Sequence, residues 1–329
     1  MPTDLNVVLT GSIATDHLMQ FRGRFADSIL PESLHKLSVS FLVDDLVVRR
    51  GGVAANIAFG MGLLGRRPVL VGAVGDDFAD YRAWLDRHGV DTASIHVSEA
   101  AHTARFTCTT DDDMNQIASF YPGAMSEARE IELGPIAARI GRIDLVVVSP
   151  NDPDAMVRHT DEARATGLPF VADPSQQLAF MGGEQLRTLV DGAAYLVTND
   201  YERDLLASKT GWTQAEIDER VGVRLTTLGK DGVEIVQRGE PTITVPVVPE
   251  LQKTDPTGVG DAFRAGFLSA LAVGLGLVPA ARLGSLLATY TLETLGTQEY
   301  VVQRSDALTR LADAYGQEAA DELAPVISV

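Results

Sequence analysis

A glycine-rich segment that ends in an acid, DPTGVGD at residues 255–261, has the clearest chemical potential in the chain. From Ala262 onward the apolar residues follow helical spacing, so Gly258, Val259 and Gly260 fall in the first turn of a helix. The backbone N–H groups of a first turn have no acceptor inside the helix, and the helix dipole favours negative charge there by about 0.3–1 kcal/mol. Because glycines carry no side chain to hold an anion away, the segment predicts a cradle for an oxyanion or a phosphate.

Asp261 follows at the positive end of this helix. We expect its carboxylate to stay ionised and to accept a proton from a substrate hydroxyl, which is the role of the base in phosphoryl transfer. Each residue also has an ordinary structural interpretation: Thr257 as an N-cap, Asp261 as an acid matched to the helix dipole, and the glycines as a turn. The bare pattern leaves both interpretations open and favours the structural one.

Other chemical motifs are absent from the sequence. No G-x-x-x-x-G-K-[ST], H-E-x-x-H or G-x-S-x-G occurs, which argues against a P-loop enzyme, a zinc protease and an α/β-hydrolase. One G-x-G-x-x-G stands at residues 60–65, but it closes a predicted helix where a dinucleotide site must open one. The single cysteine, Cys108, allows no internal disulfide and is expected to be a small residue inside a strand.

Strands and helices alternate through most of the chain, and this alternation must position the segment. Apolar runs predict strands at residues 5–11, 68–74, 144–149, 169–172, 194–197, 232–237 and 242–247. Helical patterns follow at 53–64, 78–88, 153–166, 183–190 and 258–275, with two more helices at the end. Residues 16–50 are irregular apart from strand-like alternation at 38–48, and residues 103–110 and 115–120 predict a hairpin. The fold class is therefore α/β: a mostly parallel central sheet flanked by helices on both faces, with a small β-sheet insertion.

Composition limits the classes of partner. The 329 residues carry a formal net charge of −18, which argues against nucleic-acid binding but not against a small phosphate-bearing ligand. No apolar stretch reaches the length of a membrane span, and residues 1–5 do not resemble a signal peptide. We expect a cytoplasmic protein without membrane or nucleic-acid partners.

Residues 255–261 resemble the signature of the ribokinase-like (PfkB) carbohydrate kinases, Asp-[Thr or Pro]-Thr-Gly-[small]-Gly-Asp, with Val259 where alanine is commoner. Four further motifs of that family have counterparts in chain order: residues 11–16, Gly51-Gly52 with Asn56, residues 199–202, and residues 227–232. The resemblance implies one ribokinase-like kinase domain over residues 1–329, with a lid inserted from about 16–50 and 95–122. It also implies that Asp261 is the base and that the N–H groups of residues 258–260 form an anion hole.

Within the family, the stretches at residues 102–110, 118–124 and 173–177 resemble the actinobacterial type of bacterial adenosine kinase. The reaction so implied is ATP-dependent phosphorylation of the adenosine 5′-hydroxyl. The implied substrate-binding residues are Ser12, Asp16, Ser40, Gly52, Asn56, Phe106, Phe120, Gln176 and Gln177. Phe106 and Phe120 would sandwich the purine, which suits the large contact area of stacked rings. The alternative is that both rings pack into the core of the insertion.

The same resemblance implies the co-substrate, the cations and the assembly. ATP would be bound by Asn199, Thr227, Gly229 and Gly232, and Mg²⁺ would be held through water by Glu202. K⁺ near the anion hole and a homodimer formed through the lid are common in the family. The alternatives are a ribokinase or fructokinase acting on a free sugar, and an inactive sensor that binds a nucleoside or a sugar. A dehydrogenase is weakened by the misplaced glycine motif.

Overall fold

The computed structural model describes residues 4–29, 36 and 38–327. These residues form fourteen strands: β1 (Val7–Thr10), β2 (Ala14–Phe21), β3 (Val43–Gly51), β4 (Val69–Val71), β5 (Ala73–Val74), β6 (His96–Val97), β7 (Ala104–Thr110), β8 (Gln116–Tyr121), β9 (Leu145–Val148), β10 (Phe170–Ala172), β11 (Tyr195–Asn199), β12 (Val223–Thr227), β13 (Val233–Gln237) and β14 (Ile243–Val245). They also form twelve α-helices: α1 (Phe25–Ser28), α2 (Val53–Leu63), α3 (Ala79–Arg87), α4 (Leu133–Ile140), α5 (Pro153–Thr166), α6 (Gly183–Val190), α7 (Asp200–Thr210), α8 (Gln214–Arg220), α9 (Val259–Ala272), α10 (Leu277–Leu292), α11 (Arg304–Tyr315) and α12 (Gln317–Leu323).

The main sheet contains eight strands in the order β14-β13-β12-β11-β10-β9-β1-β4. The pairings from β12 to β4 are parallel, whereas β13 and β14 add an antiparallel edge. The central strands β1 and β9 are fully buried runs of the type VVLT and LVVV, as expected for parallel strands covered on both faces. The apolar runs therefore set the sheet.

Helices cover both faces of this sheet. One buried cluster joins the sheet to α2, α9 and α10, and includes Phe59, Phe267 and Leu287. The other joins the opposite face to α5, α6 and α7, and includes Met156 and Leu186. None of the helices in the described part of the chain is long and apolar enough to cross a membrane.

A second sheet of four strands, in the order β3-β2-β7-β8, stands apart from the main sheet. Strand β2 pairs antiparallel with β3 and parallel with β7, and β7 pairs antiparallel with β8. Two chain segments therefore build it, residues 14–51 and residues 104–121. We call this four-stranded sheet the lid.

The sequence patterns located about half of the elements within two residues and missed several others. The predicted helices at 153–166 and 183–190 have those bounds in the structure. Strands β2, β6 and β12 and helices α1, α4, α7 and α8 were not predicted, and three helices follow α9 where two were expected. The predicted strand at 38–48 begins later, at Val43. Residues 1–3, 30–35, 37 and 328–329, which belong to the predicted domain and in part to its insertion, lie outside the described residues.

Candidate active site

A cavity of about 690 Å³ lies between the carboxyl edge of the main sheet and the lid. In the main sheet β1 lies between β4 and β9. The chain connects β1 to β4 on one side and β9 to β10 on the other, so the two connections run in opposite directions. Such a reversal leaves a crevice at the carboxyl ends of the two strands, here β1 and β9. Ser12 and Pro150 follow these two strands, and the Ser12 N–H donates to the Pro150 carbonyl over 2.8 Å. The lining includes Ser12, Asp16, Gly52, Asn56, Phe106, Phe120, Gln176, Gln177, Phe180, Thr257, Gly258, Asp261 and Thr297.

The start of α9 forms one wall of the cavity. Gly258 is the N-cap, with a φ of 77°, which glycine adopts without strain. A Cβ on Gly258 would lie 2.8 Å from the Thr297 side chain, and a Cβ on Gly260 would lie 2.9 Å from the Arg264 guanidinium. Gly258 therefore requires glycine, whereas a side chain at Gly260 would displace the Arg264 guanidinium, and the two glycines leave the first-turn N–H groups accessible.

The loop before α9 is held by Asp255. One of its carboxylate oxygens accepts from the Thr257 N–H over 2.9 Å, and the other accepts from the Gly296 N–H over 3.2 Å. Gly258, and not Thr257, takes the N-cap position. These bonds join the loop to the segment after α10, so the first turn of α9 has a fixed orientation toward the cavity.

Asp261 faces the cavity from the first turn of α9 and accepts a hydrogen bond from Asn56 Nδ2 over 2.8 Å. Burial raises the pKa of Asp261 to about 7, although Arg264 and the bond from Asn56 oppose this rise. The expectation that the helix start alone keeps this carboxyl ionised was therefore wrong, because desolvation outweighs the nearby positive charge. A base with a pKa near neutrality is well matched to proton transfer at physiological pH.

Asn56, on α2, is held in one orientation by the segment after α10. Its Oδ1 accepts from Thr297 Oγ1 over 3.0 Å and from Gln298 Nε2 over 2.9 Å. With both donors on the oxygen side, the amide nitrogen must point at Asp261. Gln298 Nε2 also donates to Tyr81 Oη over 2.5 Å, and Tyr81 donates to the Gly51 carbonyl over 2.9 Å. A buried chain of hydrogen bonds thus joins the acid of α9 to the end of lid strand β3.

Asp16, Phe106 and Phe120 form a row across the lid. Asp16 is paired with Phe106, and Phe106 with Phe120, so their side chains share one face of the sheet. That face closes the cavity, and Phe120 is 52% exposed. Burial, reinforced by the negative charge of Asp255, raises the pKa of Asp16 to about 6. The row places one carboxylate and two aromatic rings side by side against the same space.

Gly51 and Gly52 connect the lid to α2. A Cβ on Gly51 would lie 2.9 Å from Asp16 Oδ2. Gly52 has a φ of 93° and would carry its Cβ 2.6 Å from the Ser12 carbonyl. Ser12 Oγ in turn accepts from the Val53 N–H over 3.0 Å, which fixes the start of α2. The two glycines allow the lid strand to approach the cavity floor.

Gln176 and Gln177 lie beyond β10 on the opposite side of the cavity. Gln177 Nε2 donates to the Asn151 carbonyl over 2.6 Å, which leaves its Oε1 as an acceptor. The Ser175 hydroxyl donates to Gln176 Oε1 over 2.8 Å. Phe180, 80% exposed, also lines this side and was not singled out in the sequence.

A smaller pocket of about 120 Å³ lies on the other side of the α9 start. Its lining includes Thr227, Gly229 and Gly232, three of the four residues predicted to bind ATP, together with Val259, Gly260 and Phe263. Val259 and Gly260 face the smaller pocket, whereas Gly258 and Asp261 face the larger cavity, so the start of α9 separates the two. This arrangement allows two ligands to meet at the first turn of α9.

Three predicted residues lie outside both linings. Asn199 and Glu202 form a capping box at the start of α7, in which each backbone N–H donates to the other side chain over 2.9 and 2.7 Å. One Glu202 oxygen is engaged by that bond, while burial raises its pKa. A half-buried carboxylate of this kind can bind a hydrated Mg²⁺ through water. Ser40 is exposed in a segment without regular structure.

Arg264 and Asp173 are charged residues that sequence reasoning missed. They form a buried ion pair behind the first turn of α9, with 2.6 Å between Arg264 Nη2 and Asp173 Oδ1. The available signal was a single arginine inside the otherwise apolar stretch 262–268. Thr297 and Gln298 were also missed, and the sequence around them carries no pattern that marks them.

The comparison with known proteins agrees with this geometry. The model of the pfkB family carbohydrate kinases matches residues 13–304. A nucleoside kinase of Methanothermobacter thermautotrophicus is 33% identical over 271 residues, which are 82% of this chain and 86% of that protein.

Solved structures of the Burkholderia thailandensis nucleoside kinase have the same fold. Its complex with inosine has a TM-score of 0.80 at 36% identity, over 94% of this chain and 98% of that one. Its complex with ADP-inosine has a TM-score of 0.79 at 37% identity, over 94% and 96%. The predicted α/β class, with a mostly parallel sheet and a small β-sheet lid, is confirmed. The chain belongs to the pfkB family of carbohydrate kinases, has the ribokinase-like fold, and is a phosphotransferase with an alcohol group as acceptor.

Proposed function

We propose that this chain is a nucleoside kinase that transfers the γ-phosphoryl group of ATP to the 5′-hydroxyl of adenosine, giving AMP and ADP. The observation that carries this proposal is the row of Asp16, Phe106 and Phe120 on one face of the lid, opposite Asp261. A carboxylate suits ribose hydroxyls, and the adjacent rings suit a flat purine. The relatives named above as nucleoside kinases support the same substrate class.

In the proposed reaction, Asp16 and Asn56 orient the ribose so that its 5′-hydroxyl points at Asp261. The carboxylate accepts the hydroxyl proton as the oxygen attacks the γ-phosphorus of ATP. Backbone N–H groups of residues 258–260 then stabilise the charge on the moving phosphoryl group, which is the main electrostatic contribution expected in such a transfer. ATP would bind at the smaller pocket, beside Thr227, Gly229 and Gly232.

The base of the nucleoside would lie with Phe106 and Phe120 on one side and the two glutamines on the other. Because the two rings are cross-strand neighbours on one face of the lid, they would face the same side of the purine and not sandwich it. Gln177 Oε1 is free to accept, because its amide nitrogen is engaged by Asn151. The amide group of Gln176 can donate, since its oxygen already accepts from Ser175. One donor and one acceptor match the polar edge of a purine. We keep Ser12, Ser40 and Gly52 in the proposed substrate-binding set, with Ser40 outside the cavity as described.

Mg²⁺ supplies charge neutralisation and orientation of the ATP phosphates in this class of reaction. Glu202 would hold it through water, next to Asn199, and its burial beside other acids fits a neighbouring cation. We extend the proposal to K⁺ near the α9 start, as in the family. The reaction would serve purine salvage in the cytoplasm.

The lid, from about residues 16–50 and 95–122 of a single domain, is proposed to close over the nucleoside and to exclude water. Its connection through Gly51 and Gly52 is the proposed hinge. The outer face of the lid exposes apolar side chains, among them Leu46, Val48 and Ile117, at 54%, 55% and 46%. This face supports a homodimer formed through the lid, and a monomeric mass in solution would refute it.

The test is ATP-dependent phosphorylation of adenosine, inosine, ribose and fructose measured side by side by ADP release. We expect kcat/KM for adenosine to exceed that for ribose and fructose by about 5- to 150-fold, since stacked rings contribute about 1–3 kcal/mol per base. Preference for ribose or fructose would show a free-sugar kinase. Adenosine binding without ADP release would show an inactive sensor.

A further inference from the structure

Arg264 is a buried charge in the middle of an apolar helix stretch. It lies on α9, three residues after Asp261, and is 7% exposed between neighbours such as Phe263 and Ala265, which are at most 4% exposed. Burying a guanidinium group costs several kcal/mol unless it is paired and hydrogen-bonded. An apolar residue would serve the packing of this helix better, so the arginine has to be explained by its contacts.

Two contacts tie Arg264 to the wall between the two cavities. Its Nη2 lies 2.6 Å from Oδ1 of Asp173, a fully buried residue that follows β10. Its Nη1 donates to the carbonyl oxygen of Gly260 over 2.9 Å. Ser149 donates to the other oxygen of Asp173 over 3.1 Å, so the carboxylate is itself held in place. The guanidinium is therefore fixed between the end of β10 and the first turn of α9.

The Gly260 carbonyl belongs to the same peptide group as the N–H of Asp261. A charged donor on the oxygen of a peptide polarises it and strengthens the N–H at the opposite end. That N–H is one of the first-turn groups without an acceptor inside the helix. A Cβ on Gly260 would lie 2.9 Å from Arg264 Nη1, so a side chain there would displace the guanidinium from the carbonyl oxygen. Glycine at the second position of the G-x-G-D pattern leaves room for this contact.

The charged groups around Asp261 come from three elements. Arg264 lies on its own helix, Asp173 follows β10 and Glu202 lies on α7, while the neutral Asn56 donates from α2. The arginine lowers the pKa of Asp261, whereas the two acids raise it. The phenols of Tyr81 and Tyr300 complete the surroundings and are neutral, since burial raises the pKa of both far above neutrality.

We propose that Arg264 is a positioning residue for phosphoryl transfer, which fixes the Gly260 peptide at the start of α9 and supplies the buried positive charge beside Asp261. Asp173 holds it in that position. The inference rests on the proposed function, in which Asp261 is the base and residues 258–260 face the transferred group. It adds a fixed cation to a site in which the sequence shows no P-loop lysine.

The test compares Arg264→Gln with Asp173→Asn, two variants that break the same ion pair from opposite sides. The measurement is the pH dependence of kcat/KM for adenosine, with kcat and KM resolved at pH 8. In Arg264→Gln we expect the acid limb of the kcat/KM profile to move to higher pH by about one unit or more, because Asp261 loses the nearby cation that lowers its pKa. In Asp173→Asn we expect the limb to move down. KM for adenosine should stay within about twofold in both variants, since neither residue lines its cavity.

A purely structural role predicts that both variants lose activity with the limb unmoved, or moved in the same direction, and either result would overturn the proposal. If Asp173→Asn fails to fold, Arg264→Lys against Arg264→Met decides the same point. Lysine keeps the charge, so the acid limb of the pH profile should stay near its wild-type position. Methionine removes the charge, so the limb should move to higher pH. A limb that is identical in the two variants would overturn the proposal. A wild-type protein that phosphorylates no nucleoside would instead refute the proposed function.

Discussion

The ionised carboxylate of Asp261 should destabilise the ligand-free fold, and Asp261→Asn removes this cost. Burial raises the pKa of Asp261 from its ordinary value of 3.8 to about 7. Between about pH 4 and pH 7 the folded protein therefore binds a proton that the unfolded chain has released. The free energy of unfolding is therefore not reduced by this group below about pH 4. It falls as the pH rises from about 4 to about 7, and the reduction is complete above about pH 7.

The size of the effect follows from the shift. About three pH units correspond to about 4 kcal/mol, since each unit is 1.36 kcal/mol. The carboxyl is enclosed by protein but its accessible part faces the open cavity, so screening by solvent reduces this figure, and we expect about 2 kcal/mol. For a chain of this length, that is a change of about 3 °C in Tm.

The assay is thermal or urea unfolding of the wild type and of Asp261→Asn at pH 4.5 and pH 8, without ligands. The variant should gain about 2 kcal/mol relative to the wild type between the two pH values. Taking the difference between pH values removes any effect of the asparagine itself, which can still accept from Asn56. If the variant and the wild type differ by the same free energy of unfolding at pH 4.5 and at pH 8, the burial cost assigned to this carboxylate is refuted.

Three further outcomes are expected. Phe106→Ala should raise KM for adenosine by about 10- to 100-fold with kcat changed only a few-fold, because stacking on a base contributes about 1–3 kcal/mol. The control is Thr107→Ala, on the outer face of the same strand, which should leave KM unchanged. Gln298→Leu should cost about 2–3 kcal/mol of stability and lower kcat, because it leaves buried polar partners unsatisfied, whereas the exposed Gln252→Leu should change neither. The pKa of Asp16 near 6 predicts that KM for adenosine rises about tenfold per pH unit below 6, as the carboxylate becomes protonated, and Asp16→Asn should abolish this dependence.

The sequence could predict those parts of the fold that rest on local patterns. Buried strands such as β9, with four apolar residues in a row, and helices such as α5, with Asp152 as N-cap and a left-handed Gly167 after the end, carry their own signals. Strand β2 was missed because its sequence, ATDHLMQF, shows no clean alternation. Its side chains are mostly half-buried, since the lid is covered only in part.

The candidate site divides in the same way. The start of α9 was visible because its glycines and its acid are contiguous in the chain. The contacts that tune it were not, since Arg264 pairs with a residue 91 positions away and Asn56 with a donor 242 positions away. Such pairs follow from the order of strands in the sheet, which a local pattern does not contain. The pKa of Asp261 was misjudged for the same reason, because burial depends on the packing of distant elements.

The most direct test of the account compares turnover and binding in Asp261→Asn. ADP release in the presence of ATP, Mg²⁺ and adenosine gives kcat, and calorimetric titration with adenosine gives Kd. If Asp261 is the base that accepts the 5′-hydroxyl proton, kcat should fall by about 10²- to 10⁴-fold while Kd for adenosine changes by no more than a few-fold. Turnover near the wild-type rate in this variant would contradict the assignment of Asp261 as the base.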